Sequence, residues 1–180
     1  MSTPLYGRGT AETILGESEV RSICAEALAS QSLGGKKVLV LIPDHTRHAP
    51  IDLFFRIIFD EIGQEVRALD YLIATGTHQA MSMDRIYHHV GISARDHAGK
   101  YAKVRFFNHE HDNPNALAAI GTLSAHEIAE LTGGLFTQDL EITVNKRIFE
   151  YDHLLLVTPV VPHEAMGFAG GNKYFFPGIA

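Results

Sequence analysis

The 180-residue sequence holds a single cysteine, Cys24, so no internal disulfide can form, and a reducing cytoplasm is the expected location. It has no block of consecutive Lys or Arg. Fifteen basic against twenty-one acidic side chains leave a net charge of −6, which argues against nucleic acid as the main partner. Long apolar runs are missing as well: the longest, residues 154–162, is interrupted by Pro159 and Pro162 and falls short of the ~20 residues a bilayer span requires. The first residues, MSTPLYGRGT, lack the charged-then-apolar pattern of a secretory signal. Internal repeats, low-complexity stretches and linkers are absent too, which leaves one domain over residues 1–180.

What is present suits a folded chain. Hydrophobic residues make up 46% and charged residues 20%, the balance of a globular protein with a real core. Residues 18–29 put Val20, Ile23, Cys24, Ala27 and Leu28 on one helical face before the Gly34-Gly35 stop. Residues 37–42 form an apolar run rich in branched side chains, the pattern of a strand buried on both faces. Pro50 suits a helix start, with Leu53, Phe54, Ile57, Ile58 and Ile62 sharing a face before Gly63. Further strands are expected at 66–74, 103–107, 140–144 and 153–158, and a helix at 83–90. The alternation predicts an α/β domain with a largely parallel sheet flanked by helices.

Four apolar runs each lead into a segment dense with reactive side chains. These are Asp44-His45-Thr46-Arg47-His48, Thr75-Gly76-Thr77-His78, Asn108-His109-Glu110-His111-Asp112, and Pro162-His163-Glu164 followed by Gly170-Gly171-Asn172-Lys173. Ligands of open parallel sheets bind beyond the carboxyl ends of the strands, so the four segments are expected to converge on one crevice. Eleven histidines are the one compositional excess, and imidazole suits proton transfer near neutral pH.

Each segment also has an ordinary use. Asp44 could pin a turn and Arg47 pair with a surface acid, or the guanidinium fork could hold a carboxylate. Thr75, Gly76 and Thr77 could form an anion nest or a plain turn. His78 and His163 could be satisfied turn residues or a pair of acid/base groups on either side of a stereocentre. Gly170-Gly171 before Lys173 could be a loop, or a turn that lets a cofactor approach beside an amine. His109, His111 and Asp112 are ligand types that a metal-dependent hydrolase could use, although a solvated turn explains them as well. His126-Glu127 and His163-Glu164 lack the second histidine of a zinc-protease helix, since Glu130 and Gly167 stand there. His88 and His89, adjacent on a helix, are expected at the surface.

Together, Tyr6-Gly7-Arg8-Gly9, Asp44-His45-Thr46-Arg47, Ala74-Thr75-Gly76-Thr77-His78, Pro162-His163, the run Gly-Phe-Ala-Gly-Gly-Asn-Lys ending at Lys173, and Pro177-Gly178 resemble the lactate racemase family, whose enzymes carry a nickel-pincer nucleotide. The resemblance spans nearly the whole chain. It implies a Rossmann-like N-terminal domain that tethers the cofactor covalently through Lys173, with Thr75, Gly76, Thr77, Gly170 and Gly171 beside it. It implies His78 and His163 as the acid/base pair, and Asp44 and Arg47 as the substrate-binding residues. The implied reaction racemises or epimerises a small 2-hydroxy acid by reversible hydride transfer.

The family's nickel histidine lies beyond the lysine and its second domain beyond that. The chain is therefore expected to be the N-terminal, cofactor-tethering part of a longer two-domain enzyme, inactive alone and holding no metal ligand of its own. Cofactor-synthesis and insertion proteins are the implied partners. The apolar end, residues 174–179, is expected to be exposed. A non-enzymatic nucleotide- or phosphate-binding domain and the hydrolase above are the rival expectations.

Overall fold

The computed structural model describes residues 4–164 and 167–180; of the N-terminal stretch read for a signal, residues 1–3 lie outside them. In chain order the regular elements are α1 (Glu17–Ala29), β1 (Lys37–Pro43), α2 (Ile51–Ile62), β2 (Ala68–Ala74), α3 (Met83–His89), α4 (Ala94–Ala98), β3 (Phe106–Asn108), β4 (Leu117–Leu123), α5 (Ala125–Thr132), β5 (Leu140–Asn145), β6 (His153–Leu156), β7 (Pro162–His163) and β8 (Gly167–Phe168). Strands β3, β2, β1 and β6 form, in that order, a parallel sheet. The expected α/β architecture is therefore what the chain adopts. No described helix is long and apolar enough to cross a membrane.

The period of two along each strand sorts side chains between the two faces. Val38, Val40 and Ile42 of β1 join Tyr71 and Ile73 of β2 under α2, whose Phe55, Ile58 and Ile62 are buried against them. Each such side chain contributes about 1.5–3 kcal/mol of hydrophobic burial. Phe55 is the hub, 5.1 Å from the ring of Tyr71 and 4.9 Å from that of Tyr101. Leu39, Leu41 and Leu72 point to the other face, where among the described residues no α-helix packs against them. Ile179 covers them instead, with Phe175, Ile148 and Tyr151 packed around.

Three expectations are corrected here. The apolar end is not left exposed: Tyr174 and Ile179 are buried, and only Phe176 of the aromatic run is largely open. Residues 140–144 are a strand, but not of the parallel sheet. They lie in β5, which pairs antiparallel with β4 in a separate ribbon. The cause is visible in Leu140-Glu141-Ile142-Thr143-Val144, where apolar and polar residues alternate as in a half-exposed strand. The strand expected at 103–107 forms later, at Phe106–Asn108.

Near the amino end of β2, Asp70 is fully buried yet fully paired. Its carboxylate accepts from Arg105 Nε at 3.1 Å and Nη2 at 2.6 Å, from the Arg105 N–H at 2.8 Å, and from the Tyr151 hydroxyl at 2.7 Å. A buried charge needs such partners. The lock leaves the opposite, carboxyl ends of the strands for chemistry.

Candidate active site

Pro43 ends β1 opposite Ala74, the end of β2, so the next residues, Asp44 and Thr75, emerge side by side. Beyond β6 the chain runs to Pro159, and the turn at 170–174 folds back beneath it. Asp44, Arg47, Thr75, Thr77, His78, Pro159, Gly170, Lys173 and Tyr174 line one cleft at these strand ends.

Asp44 is the anchor. It is only 3% exposed. One oxygen accepts from the Thr46 N–H at 3.0 Å and the Thr46 hydroxyl at 2.6 Å, which is the turn-pinning use. The other lies 2.5 Å from Nδ1 of His78. Burial raises the Asp44 carboxyl, but the Thr46 hydroxyl, His78 and the Thr46 N–H outweigh it and hold the group below its ordinary value. An ionised Asp44 can only accept, so Nδ1 of His78 carries the proton and Nε2 is left to take one. A base oriented by a carboxylate is a recurrent catalytic arrangement.

Arg47 is exposed, and Nη1 donates to the Thr46 hydroxyl at 3.2 Å. Among the described residues it forms no salt bridge, so pairing with a surface acid is not its role here. Lys173 sits in a short 3₁₀ turn, Gly171–Tyr174. Its amine makes no hydrogen bond or ion pair with the described residues. Next to it, burial pushes the Tyr174 phenol up to about 12, with Arg47 opposing and Asp44 adding to the rise. Tyr174 is a neutral phenol in the cleft with no signal in its local sequence.

His163 lies on β7, beside the cleft but not among its lining residues, with Nδ1 3.8 Å from the Glu164 carboxylate. Glu164 is lowered first by its own N–H, then by His163, and also by Lys173 and Arg47, so this corner borders both cations.

Gly170 has φ +90° and ψ −178°, a region that is essentially glycine-only. A Cβ there would overlap Pro159 O and crowd the Val160 side chain. Gly171, at φ +52°, has open space on that side, and its N–H donates to Thr158 Oγ1 at 3.1 Å. Gly170→Ala is expected to cost about 2–4 kcal/mol through backbone strain and overpacking, against about 1–2 kcal/mol for Gly171→Ala. Denaturant unfolding of the two variants checks the order; equal losses would contradict it.

The Thr75–Thr77 turn is built differently from an anion nest. The Thr75 N–H donates to Ile73 O at 3.0 Å, the Gly76 N–H to Gly178 O at 2.9 Å and the His78 N–H to Thr75 O at 3.0 Å. The Thr75 hydroxyl donates to His109 O at 2.9 Å. With these donors spent inside the protein, the turn shapes the cleft wall. The nucleotide- or phosphate-binding alternative loses its main support.

The third segment supports the cleft from behind. Asn108 holds Met81 by two amide bonds of 2.9 Å, and His109 is 1% exposed with both ring nitrogens engaged. Among the described residues no three His, Cys, Asp or Glu side chains gather as a metal site, so the hydrolase expectation fails on its ligands. His89 is not a surface residue either: it is half-buried, and Nε2 donates to Pro43 O at 2.9 Å, beneath Asp44. The N-terminal motif lies apart from the cleft, with Arg8 bonded to Glu26 of α1 at 2.8 Å.

Burial lowers the pKa of His89, His109 and His153. The unfolded chain protonates such groups near pH ~6.5, while the folded protein resists until lower pH. Their stabilisation is therefore complete above that value and declines as pH falls through the folded values. The melting temperature is expected to drop between pH 7.5 and 5.5, before carboxylates titrate. A flat profile over that range would contradict this.

Comparison with known proteins gives a consistent picture. The sequence model of the family described as "Lactate racemase N-terminal domain" matches residues 7–180. A lactate racemase from Thermoanaerobacterium thermosaccharolyticum is 27% identical over 171 residues, which are 94% of this chain and 36% of that protein. The crystal structure of a Thermotoga maritima protein is 34% identical, with a TM-score of 0.81, covering 92% of this chain and 39% of that one. The chain thus spans little more than a third of the length of either relative.

Proposed function

The chain belongs to the lactate racemase N-terminal domain family, and from that premise we propose that it is the cofactor-tethering domain of a racemase or epimerase acting on a 2-hydroxy acid. One observation carries the reading: the Asp44–His78 pair, Arg47 and the Lys173 amine line the same cleft.

The residues present fit a covalently tethered group. The Lys173 amine has no hydrogen-bonding partner to give up among the described residues, and the space beside Gly171 is open. When bound, a nickel-pincer nucleotide would supply an acceptor for the C2 hydride of the substrate and return that hydride to either face. Thr75, Gly76, Thr77, Gly170 and Gly171 would form the wall and turn beside the tether. No histidine follows Lys173 in residues 174–180, so no nickel ligand is assigned within this chain.

The chain's own residues bind, orient and move a proton. Arg47 offers a planar fork to the substrate carboxylate, with two charge-assisted hydrogen bonds that a lysine cannot match in geometry. His78 Nε2 accepts the C2 hydroxyl proton as the carbonyl forms and gives it back on return. Asp44 keeps the imidazole in that tautomer and stabilises the imidazolium. His163, on the neighbouring hairpin, is assigned the same exchange for the opposite enantiomer. Such an enzyme would depend on proteins that build and insert the nucleotide.

Intact-mass spectrometry of the chain produced together with the cofactor-building enzymes tests the proposal. A single covalent adduct on folded protein is expected. Folded protein that stays at its unmodified mass under those conditions would overturn it.

A further inference from the structure

His109 belongs to neither the acid/base pair nor the tether, yet four of its groups are engaged across the cleft's foundations. Its N–H donates to Ile73 O at 3.0 Å, at the end of β2. Its carbonyl accepts the Thr75 hydroxyl at 2.9 Å. Its ring bridges Asn145 at Nδ1, 3.3 Å, and Ala180 O at Nε2, 3.3 Å.

The hydrogens can be assigned from chemistry alone. Asn145 Oδ1 accepts from the Arg147 N–H at 3.1 Å, which fixes the amide orientation and points Nδ2 at the imidazole. An amide NH₂ only donates and a carbonyl only accepts. Nδ1 must therefore be the acceptor and Nε2 must carry the hydrogen: the ring is neutral, in one tautomer.

The segment that this ring holds is the one that follows Lys173. Gly178 O accepts from the Gly76 N–H at 2.9 Å, Ile179 O from the Asn145 N–H at 2.7 Å, and Ala180 O from His109. The Gly178 N–H returns to Lys173 O at 3.2 Å. One buried side chain thus joins the wall bearing Thr75 and Gly76 to the strap that sets the Lys173 turn.

We propose that His109 is a positioning residue of the cleft, a neutral Nε2–H imidazole that, with Asn145, seats residues 178–180 against the Thr75–Gly76 turn and so fixes Lys173 across from Asp44 and His78. Its functional weight rests on the assignment of Lys173 above, whereas the experiment does not involve the nucleotide. A ring serving only to fill the core would make the same contribution to every part of the fold; a positioning ring controls the strap more than the rest.

Site-resolved amide hydrogen exchange on the unmodified chain separates the two. The Gly76 N–H reports seating of the strap, and the Ile58 and Phe59 amides of α2 report the stability of the core. Glutamine has the reach to place an amide N–H near Ala180 O, while asparagine is too short. In His109→Asn, Gly76 exchange should accelerate about fivefold or more relative to α2, the factor set by losing one ordinary hydrogen bond. His109→Gln should restore most of the protection. Gly76 exchange that merely follows α2 in both variants, or a glutamine no better than asparagine, would overturn the proposal. The wild-type ring ¹⁵N spectrum at pH 7 is a check independent of any variant: Nε2–H is expected, and an Nδ1–H tautomer or an imidazolium would equally overturn it. A missing nucleotide adduct on Lys173 would instead count against the functional assignment and leave these results standing.

Discussion

Lys173→Arg is expected to abolish the covalent adduct completely while leaving the fold intact. Arginine keeps the positive charge and much of the length, but its guanidinium stays protonated at any working pH and offers no nucleophilic lone pair. A lysine amine does so once it sheds a proton. The fold should be indifferent, because the amine makes no hydrogen bond or ion pair with the described residues, and substitutions of that kind fall within about 0.5 kcal/mol. Intact mass and peptide mapping of matched preparations, with melting curves alongside, make the measurement. An adduct that persists in Lys173→Arg would move the attachment point elsewhere.

The second large effect is expected at the pair opposite. In the complete enzyme, His78→Gln should lower turnover by the ~10²- to 10⁴-fold that general acid/base groups contribute. Asp44→Asn should approach the same loss by a different route. The amide oxygen can keep the two Thr46 bonds, but the amide nitrogen would then face His78 Nδ1, where Asp44 now lies 2.5 Å away. An amide donor forces Nδ1 to accept and shifts the hydrogen to Nε2, the atom proposed above to receive the substrate proton. Arg47, proposed above to hold the substrate carboxylate, is untouched in both variants, so KM should change much less than kcat. Racemisation of a 2-hydroxy acid followed by chiral chromatography would report both constants. Turnover within about threefold of wild type in either variant would remove that residue from the proton path.

Some of this architecture is legible in the sequence. β1 and α2 carry strong, unambiguous patterns: an unbroken branched run buried from Val38 to Pro43, and isoleucines and phenylalanines at helical spacing. Because parallel strands share a direction, their exits share an edge, and that alone brings Asp44 and His78 into one neighbourhood; Lys173 joins them through the later turn at 171–174. β4 has no clear sequence signature because Ala118, Ala119, Gly121 and Thr122 are small and most of them exposed, with little hydrophobic contrast. α4 and α5 are too short for periodicity to register, yet each announces its start. Ser93 and Asp96, and Ser124 and Glu127, form reciprocal capping boxes that a search for that spacing would have found.

Other features have no local signature. The bonds that tie Thr75, Gly76 and His109 into the fold reach 34 to 102 positions along the chain, as in the Thr75–His109 and Gly76–Gly178 bonds. Nothing in Thr75-Gly76-Thr77 distinguishes a turn whose N–H groups are spent from one that offers them to an anion. Likewise, the amphipathic content of His89 and His109 is the same as that of any surface histidine. Their burial follows from what the rest of the fold packs over them.

The way Ile179 closes the second face of the sheet bears on timing. During synthesis Leu39, Leu41 and Leu72 emerge long before their cover does, and His109 must wait 71 residues for its carbonyl partner. Closing so long a loop costs only logarithmically more than closing a short one, so the delay is one of sequence order more than of free energy. Until that closure the Gly178 N–H cannot hold the Lys173 carbonyl in its turn. The apolar cover and the reactive turn are stitched into one stretch of chain, so the sheet cannot be sealed without presenting the lysine. A chain whose amine is correctly presented has, by construction, already closed this face of its sheet.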